Sequence, residues 1–244
     1  MFERFAIVFQ GPPGPSISRP TPSDPYPAGN PLVFTHAMNV RDTVFVEEQK
    51  CDPDAELDDD DPRSWQWVMY DTMPPPPDPE ASTATNGNGA AETTEANLRK
   101  RQKPVAVVRL VPPPHAPHEH LRPVIEDGVD TTETHRKLSL PFIRLTRVAV
   151  LPEYRGLGLS RVLVETALRW AAEHPEEIDK AHLDATGGKA GGRWDGLVLV
   201  HAQTQVEGLY ERLGFVTDKG LGTWEEERIV HVGMWRELKV RREN

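Results

Sequence analysis

The stretch Leu145–Trp170, LTRVAVLPEYRGLGLSRVLVETALRW, constrains this chain more than any other. It begins with a short apolar run, Val148–Leu151, that reads as a buried strand. Pro152 stops the strand because proline has no amide to donate to a ladder. Arg155-Gly156-Leu157-Gly158-Leu159-Ser160 follows. Leu159, Val162, Leu163, Thr166, Ala167 and Trp170 then recur on one face of an amphipathic helix. A strand that passes through glycines into a helix places unpaired N–H groups and the positive helix end at the turn. The glycines let the backbone approach a ligand, and Arg155 adds a fixed positive charge. The segment therefore reads as a phosphate cradle.

Several phosphate-binding motifs are excluded. From Gly156 the sequence is GLGLSR, with Arg161 in the place of the third glycine of a dinucleotide fingerprint, and no acid follows a second strand at the expected distance. GGKAGG around Lys189 is not GxxxxGK[ST]. A kinase glycine loop needs HRD and DFG, and neither is present.

Length and composition set the frame. The 244 residues suffice for one large domain or two small ones, and 24 prolines with 37 % hydrophobic residues suggest one core carrying long irregular segments. A net charge of −10 disfavours nucleic acid and anionic membrane as partners. Cys51 stands alone, which excludes an internal disulfide and a cysteine zinc site. MFERFAIVFQ has no basic leader and its apolar run is too short for a signal or a span, so cytosol or nucleus is expected.

Along the chain, Phe5–Phe9 reads as a strand, Pro12 to Pro31 as a loop and Leu32–Lys50 as a helix. Asp52–Asp61 holds seven acids in ten residues and reads as a solvated loop. A calcium loop fails there, with Leu57 at position six and Arg63 at position twelve. An acidic rim for a cationic substrate is the other reading. Ser64–Asp71 and Pro104–Val111 are expected strands, separated by a disordered insertion at 73–103. A second, irregular insertion runs over 112–140. His115, His118 and His120 cluster in it without a carboxylate spacing that would argue for a metal. Further expectations are a strand at Phe142–Leu151, a helix ending before Pro175 and a flexible loop at Ala185–Asp195. A strand at Leu197–Ala202, a short helix Val206–Leu213 and last strands at Phe215–Thr217 and Ile229–Trp235 follow. The pattern implies an α/β or α+β sheet of six or seven strands flanked by helices.

These residues resemble a known family. Arg155-Gly156-Leu157-Gly158-Leu159-Ser160 after a strand is similar to the coenzyme A motif of the GNAT acetyltransferases, Arg/Gln-x-x-Gly-x-Gly/Ala, with Ser160 in the last small position. Ala202–Phe215, AQTQVEGLYERLGF, resembles the family's second signature, with Gln203 where Asn is usual. VRDTVFVEEQ (Val40–Gln49) and WEEERIVHVGM (Trp224–Met234) narrow the likeness to the ElaA-like and glucosamine-phosphate acetyltransferase-like branch. The matches cover most of one acetyltransferase domain, 1–244, apart from its two insertions.

The resemblance implies a GNAT fold with splayed central strands, acetyl-CoA as cosubstrate without a metal, and acetyl transfer to a primary amine by direct attack. Gly156–Ser160 and Arg155 would hold the pyrophosphate, and the Val148-Ala149-Val150 backbone the pantetheine arm and the oxyanion. Tyr210 stands where the family places its general acid. Thr146 stands where relatives often carry a glutamate base, which leaves Glu226, Glu227, His231 or water as candidates. Gln203 would hydrogen-bond pantetheine or end the strand. The branch suggests an amino sugar phosphate such as glucosamine 6-phosphate, held by Arg41, Arg109, Arg144 or Arg147. The acidic run points instead to a polyamine, an arylamine or a protein lysine. A non-catalytic acyl-CoA-binding module is the rival class, a cofactor-free structural protein a further one, and a homodimer is what the family often forms.

Overall fold

The computed structural model describes residues 4–72, 103–117, 125–126, 129–189 and 191–242. The insertion expected at 73–103 lies outside them except for Lys103, as do His118 and His120.

Strand β1 (Phe5–Gln10) opens the chain and helix α1 (Leu32–Arg41) follows the proline-rich segment. Strands β2 (Trp65–Asp71) and β3 (Lys103–Val111) come next, then a two-stranded ribbon of β4 (Ile125–Glu126) and β5 (Val129–Asp130). Helix α2 (Thr132–Leu138), strand β6 (Ile143–Val150), helix α3 (Leu159–Glu173) and helix α4 (Pro175–Ala185) lead to β7 (Leu197–Gln203). Helix α5 (Glu207–Arg212) and strands β8 (Val216–Thr217), β9 (Thr223–Glu226) and β10 (Ile229–Glu237) complete the order.

The main sheet has eight strands, one more than expected, in the order β1-β2-β3-β6-β7-β10-β8 with β9 on β10. The extra strand, β9, lies in what reads as a glycine loop. It closes a hairpin with β10 through Glu227 and Arg228, both at positive φ. Every pairing is antiparallel except β6 with β7.

The middle of the sheet is covered on both faces, which is why WQWVMYD is buried at every position. Trp170 of α3 packs on Phe9, Trp65 and Trp67. His36 of α1 meets Tyr70, whose side chain alternates to the other face. Register carries the α3 face along Trp65, Leu110, Leu145 and Val200, and the α1 face along Gln66, Arg109 and Thr146.

Three expectations change here. Leu32–Lys50 is α-helical only to Arg41. Asp42–Glu48 widens into a π-helical turn, with the Gln49 amide reaching back to the Val44 carbonyl. The 112–140 segment is not wholly irregular, because it contains α2 and the β4–β5 ribbon. Helix α3 ends at Glu173, before Pro175 as expected, and Pro175 also starts α4 at the first helical position, where its missing amide costs nothing. The end of the expected flexible loop is also anchored, since Trp194 is fully buried and donates its indole N–H to the Leu197 carbonyl.

The acidic run is the largest correction. Glu56, Asp58 and Asp61 do not form a solvated rim. They bind three arginines on the α1 face of the sheet. Arg41 Nε reaches Glu56 at 2.5 Å and its Nη1 reaches Asp61 at 2.6 Å. Arg109 grips Asp58 with both terminal nitrogens, at 2.7 and 2.8 Å, and also contacts Asp61 at 2.9 Å. Arg147 meets Glu56 at 3.2 Å and Asp58 at 3.1 Å. Arg41 and Asp61 are wholly buried. Arg41, Arg109 and Arg147 are thereby committed to carboxylates and do not form a phosphate-binding set.

The burial of ionisable groups sets an acid limit. Desolvation, with Arg144 nearby, pulls His115 from 6.5 to about 3. Arg109 and Arg147 hold Asp58 below the usual 3.8, and Arg41 and Arg109 hold Asp61 below it. For groups held low in the folded state, stability is intact above the unfolded value and is lost as pH falls, because the unfolded chain takes the proton first. Stability should thus be flat between about pH 6.5 and 8. It should fall by on the order of 2 kcal/mol by about pH 5 as His115 exacts its cost, and fall further below about pH 4. Urea midpoints across this range check it, and His115→Leu should flatten the upper segment.

Candidate active site

The site is where β6 and β7 part. They pair only at Ile143 with Val198, Arg144 with Leu199 and Leu145 with Val200. Beyond Leu145, β7 stays on β10 as far as Gln203 with His231, and β6 stays on β3. The edge of β6 from Thr146 to Val150 is left without a neighbouring strand on that side.

A bulge shapes this edge. Val107 pairs with Ala149 and Arg109 with Thr146, so β6 carries one residue more than β3 there. Arg147 sits in the left-handed region at φ 51°. A bulge increases local twist and re-aims side chains. Here the ion network holds it, since Arg147 binds Glu56 and Asp58 while Arg109 Nε donates to the Thr146 hydroxyl at 2.9 Å. Thr146 is thus the anchor of a buried arginine.

Past the bulge, the Leu151 amide donates to the Val105 carbonyl at 2.9 Å. Amide directions alternate along a strand, so Val150 and Val148 turn their backbone groups into the opening. Arg155 Nε accordingly donates to the Val150 carbonyl at 3.1 Å.

A cavity of about 390 Å³ fills the opening. Of the residues expected to bind cofactor, Val148, Ala149, Val150, Arg155, Ser160 and Gln203 line it. Gly156 and Gly158 have φ of 77° and 76°, the region that favours glycine, and Gly158 caps α3. Leu157 is exposed, and Leu159 turns into the core instead of toward the cavity. Gln203 Nε2 donates to Gln49 at 2.9 Å and ties the end of β7 to the π-helical turn.

Among the expected catalytic groups, Tyr210, Glu226 and His231 line the same cavity. Tyr210 is buried on α5, edge-on to Phe215, and burial raises its pKa above the ordinary 10. His231 Nδ1 lies 2.8 Å from the Ile229 carbonyl. A carbonyl only accepts, so that nitrogen carries a proton, and in the neutral ring the lone pair falls on Nε2. Glu227 lies apart, in a smaller adjoining cavity, where its carboxylate accepts the Asp52 amide at 3.1 Å.

Two residues that line this cavity escape sequence reasoning. Glu48 clamps Arg155 with both oxygens, at 2.7 and 2.5 Å. His201 faces the opening from β7 and stands edge-on to Trp224. The VRDTVFVEEQ likeness marks the segment of Glu48, but only the π-helical turn directs Val44, Phe45, Glu48 and Gln49 together at the cavity. Among the described residues no group of three His, Cys, Asp or Glu could hold a metal ion, and no helix is long and apolar enough to cross a membrane.

The model of the acetyltransferase (GNAT) domain matches residues 99–217, which contain the glycine turn, the parted strands and Tyr210. Among curated proteins nothing matches. Among solved structures, the chain is similar to an N-acetyltransferase from Lactobacillus plantarum described there as putative, at 19% identity over 96% of this chain and 98% of that one, with a TM-score of 0.48. It is similar to an acyl-CoA N-acyltransferase from Pseudomonas aeruginosa at 18% identity, 95% and 99% coverage and a TM-score of 0.49. It is also similar to Escherichia coli ElaA at 18% identity, 85% and 93% coverage and a TM-score of 0.45. The domain model spans both signature segments, and residues 99–217 of this chain carry an acetyltransferase (GNAT) domain.

Proposed function

We propose that the protein moves an acetyl group from acetyl-CoA to a primary amine by direct attack on the thioester. The observation that carries this reading is the open edge of β6, Thr146 to Val150, facing a cavity that also receives Ser160 of α3 and Tyr210 of α5. An amide-rich pantetheine arm adds to such an edge as a strand would. The amides of the glycine turn and the start of α3 suit a pyrophosphate. An N–H of the Val148–Val150 edge suits the oxyanion.

Glu226 or His231 Nε2 takes one proton from the ammonium. The amine lone pair forms the N–C bond, the C–S bond breaks with its electron pair leaving on sulfur, and the second proton of the nitrogen passes to that sulfur. Tyr210 meets that sulfur with its O–H. Because burial raises its pKa, it keeps its proton throughout the working range and stabilises the thiolate by hydrogen bonding. The products are the amide, the thiol of CoA and a proton.

Thiol release by the full chain with acetyl-CoA over a panel of amines, glucosamine 6-phosphate and spermidine included, tests the reading. Amine-dependent release is expected. A thermal shift with acetyl-CoA but no release with any amine would replace it with a non-catalytic acyl-CoA-binding module.

Glu48 supports a separate prediction. Its carboxylate competes with phosphate for Arg155. Glu48→Gln should lower KM for acetyl-CoA about two- to fivefold, the scale of one exposed ion pair. An unchanged KM would mean that Arg155 makes no phosphate contact.

A further inference from the structure

A second cavity, about 410 Å³, lies on the sheet face opposite α3 and adjoins the cleft through Arg144, His201 and Glu226, which line both. Its size suits a small-molecule ligand. The floor is Phe142 and Leu199, with Leu138 of α2 and Trp224 of β9 as walls. His115 closes one side, stacked on Phe142 and bonded to the Phe142 carbonyl at 2.8 Å. That contact makes its Nε2 a donor, and its lowered pKa keeps the ring neutral.

Arg144 is the unusual member. Arg41, Arg109 and Arg147 are each held by carboxylates, but among the described residues nothing forms an ion pair or hydrogen bond with the Arg144 guanidinium. Asp60 and Glu226 act on it only through space, and burial is the largest influence on it. A half-buried guanidinium that lines both cavities without a partner is placed to take an anion from outside, and its planar fork fits a carboxylate. Glu226, at the junction with the cleft, supplies the opposite charge for an ammonium group. The apolar floor and walls supply a site for a hydrophobic side chain.

We propose that this cavity binds the acceptor, and that the acceptor is an α-amino acid with an aromatic or branched apolar side chain. This rests on the acyl-transfer reading above. Its carboxylate meets Arg144, its side chain lies between Phe142, Leu199 and Trp224, and its amine turns past Glu226 toward β6. A hexosamine phosphate would press several hydroxyls onto apolar walls. A polyamine would bring no anion to Arg144.

Two measurements judge the proposal independently. In thiol release with acetyl-CoA, L-phenylalanine or L-leucine should exceed phenethylamine in kcat/KM by about 30-fold or more, the scale of one buried charge-assisted contact. Arg144→Gln should erase that ratio, and Arg144→Lys should restore part of it. A preference for phenethylamine, glucosamine 6-phosphate or spermidine would overturn the proposal while leaving acyl transfer intact. Calorimetry without an acyl donor should show L-phenylalanine binding more tightly than phenethylamine in the wild type, and not in Arg144→Gln. Equal affinities, or no binding of L-phenylalanine, would overturn it. A lack of turnover with every amine would count against acyl transfer, and calorimetry would still judge the cavity.

Discussion

Asp61→Asn is expected to destabilise the folded protein by about 3–5 kcal/mol, because it removes one partner from a buried ionic cluster. Asp61 is fully buried and serves two arginines, with Arg41 at 2.6 Å and Arg109 at 2.9 Å. Three cations and three carboxylates balance in this cluster. With Asn at 61, two buried guanidiniums would share what Glu56 and Asp58 can offer. The neutral amide also brings an N–H₂ group toward a side already crowded with donors. Urea unfolding should show the lower midpoint. Asp59, exposed in the same acidic run, is the control, and Asp59→Asn should stay within about 0.5 kcal/mol. A cost for Asp61→Asn below about 1 kcal/mol would mean that the cluster is hydrated and contributes little. The effect should reach the site as well. The same cluster holds Arg147 in its left-handed conformation, and that residue bends the edge of β6.

Tyr210→Phe should lower kcat about 100-fold while leaving KM for acetyl-CoA within about twofold. This is the pattern of a group that acts on the leaving sulfur without holding the cofactor. The ring is edge-on to Phe215, 5.6 Å between centroids, and phenylalanine keeps that contact, so the substitution isolates the hydroxyl. Burial holds the wild-type phenol protonated past its ordinary pKa of 10, so no loss of activity from its ionisation should appear below that pH. Unchanged kcat in Tyr210→Phe would reduce Tyr210 to a packing residue of α5.

Much of the frame was legible in local pattern. The stripe through Leu159, Leu163 and Ala167 is buried as its spacing implies, because helical periodicity is a local property. The apolar runs in β2, β3, β6 and β7 mark the middle strands. Other elements were masked by local signals that tertiary contacts override. Pro175 reads correctly as a stop but conceals that it also starts α4, and glycines at 220 and 222 hide β9. The acidic run misled most. Seven acids in ten residues ordinarily mean water, and no local rule shows that Arg41, Arg109 and Arg147 converge on them from α1, β3 and β6.

For the site, the sequence by itself determined the glycine turn, its arginine and the tyrosine on the later helix, because each belongs to a contiguous segment with its own geometry. Only the tertiary structure decided what those groups meet. Where β6 parts from β7 it carries a bulge, and charges from distant segments are bound to that bulge. The engagement of Arg155 by Glu48 depends on a π-helical turn 107 residues earlier. Arg144 is set apart from the other arginines in the same way. Composition shows four arginines near one cleft, but burial and ion pairing are pairwise properties of residues remote in the chain. They leave only Arg144 facing the cavities without a carboxylate among the described residues.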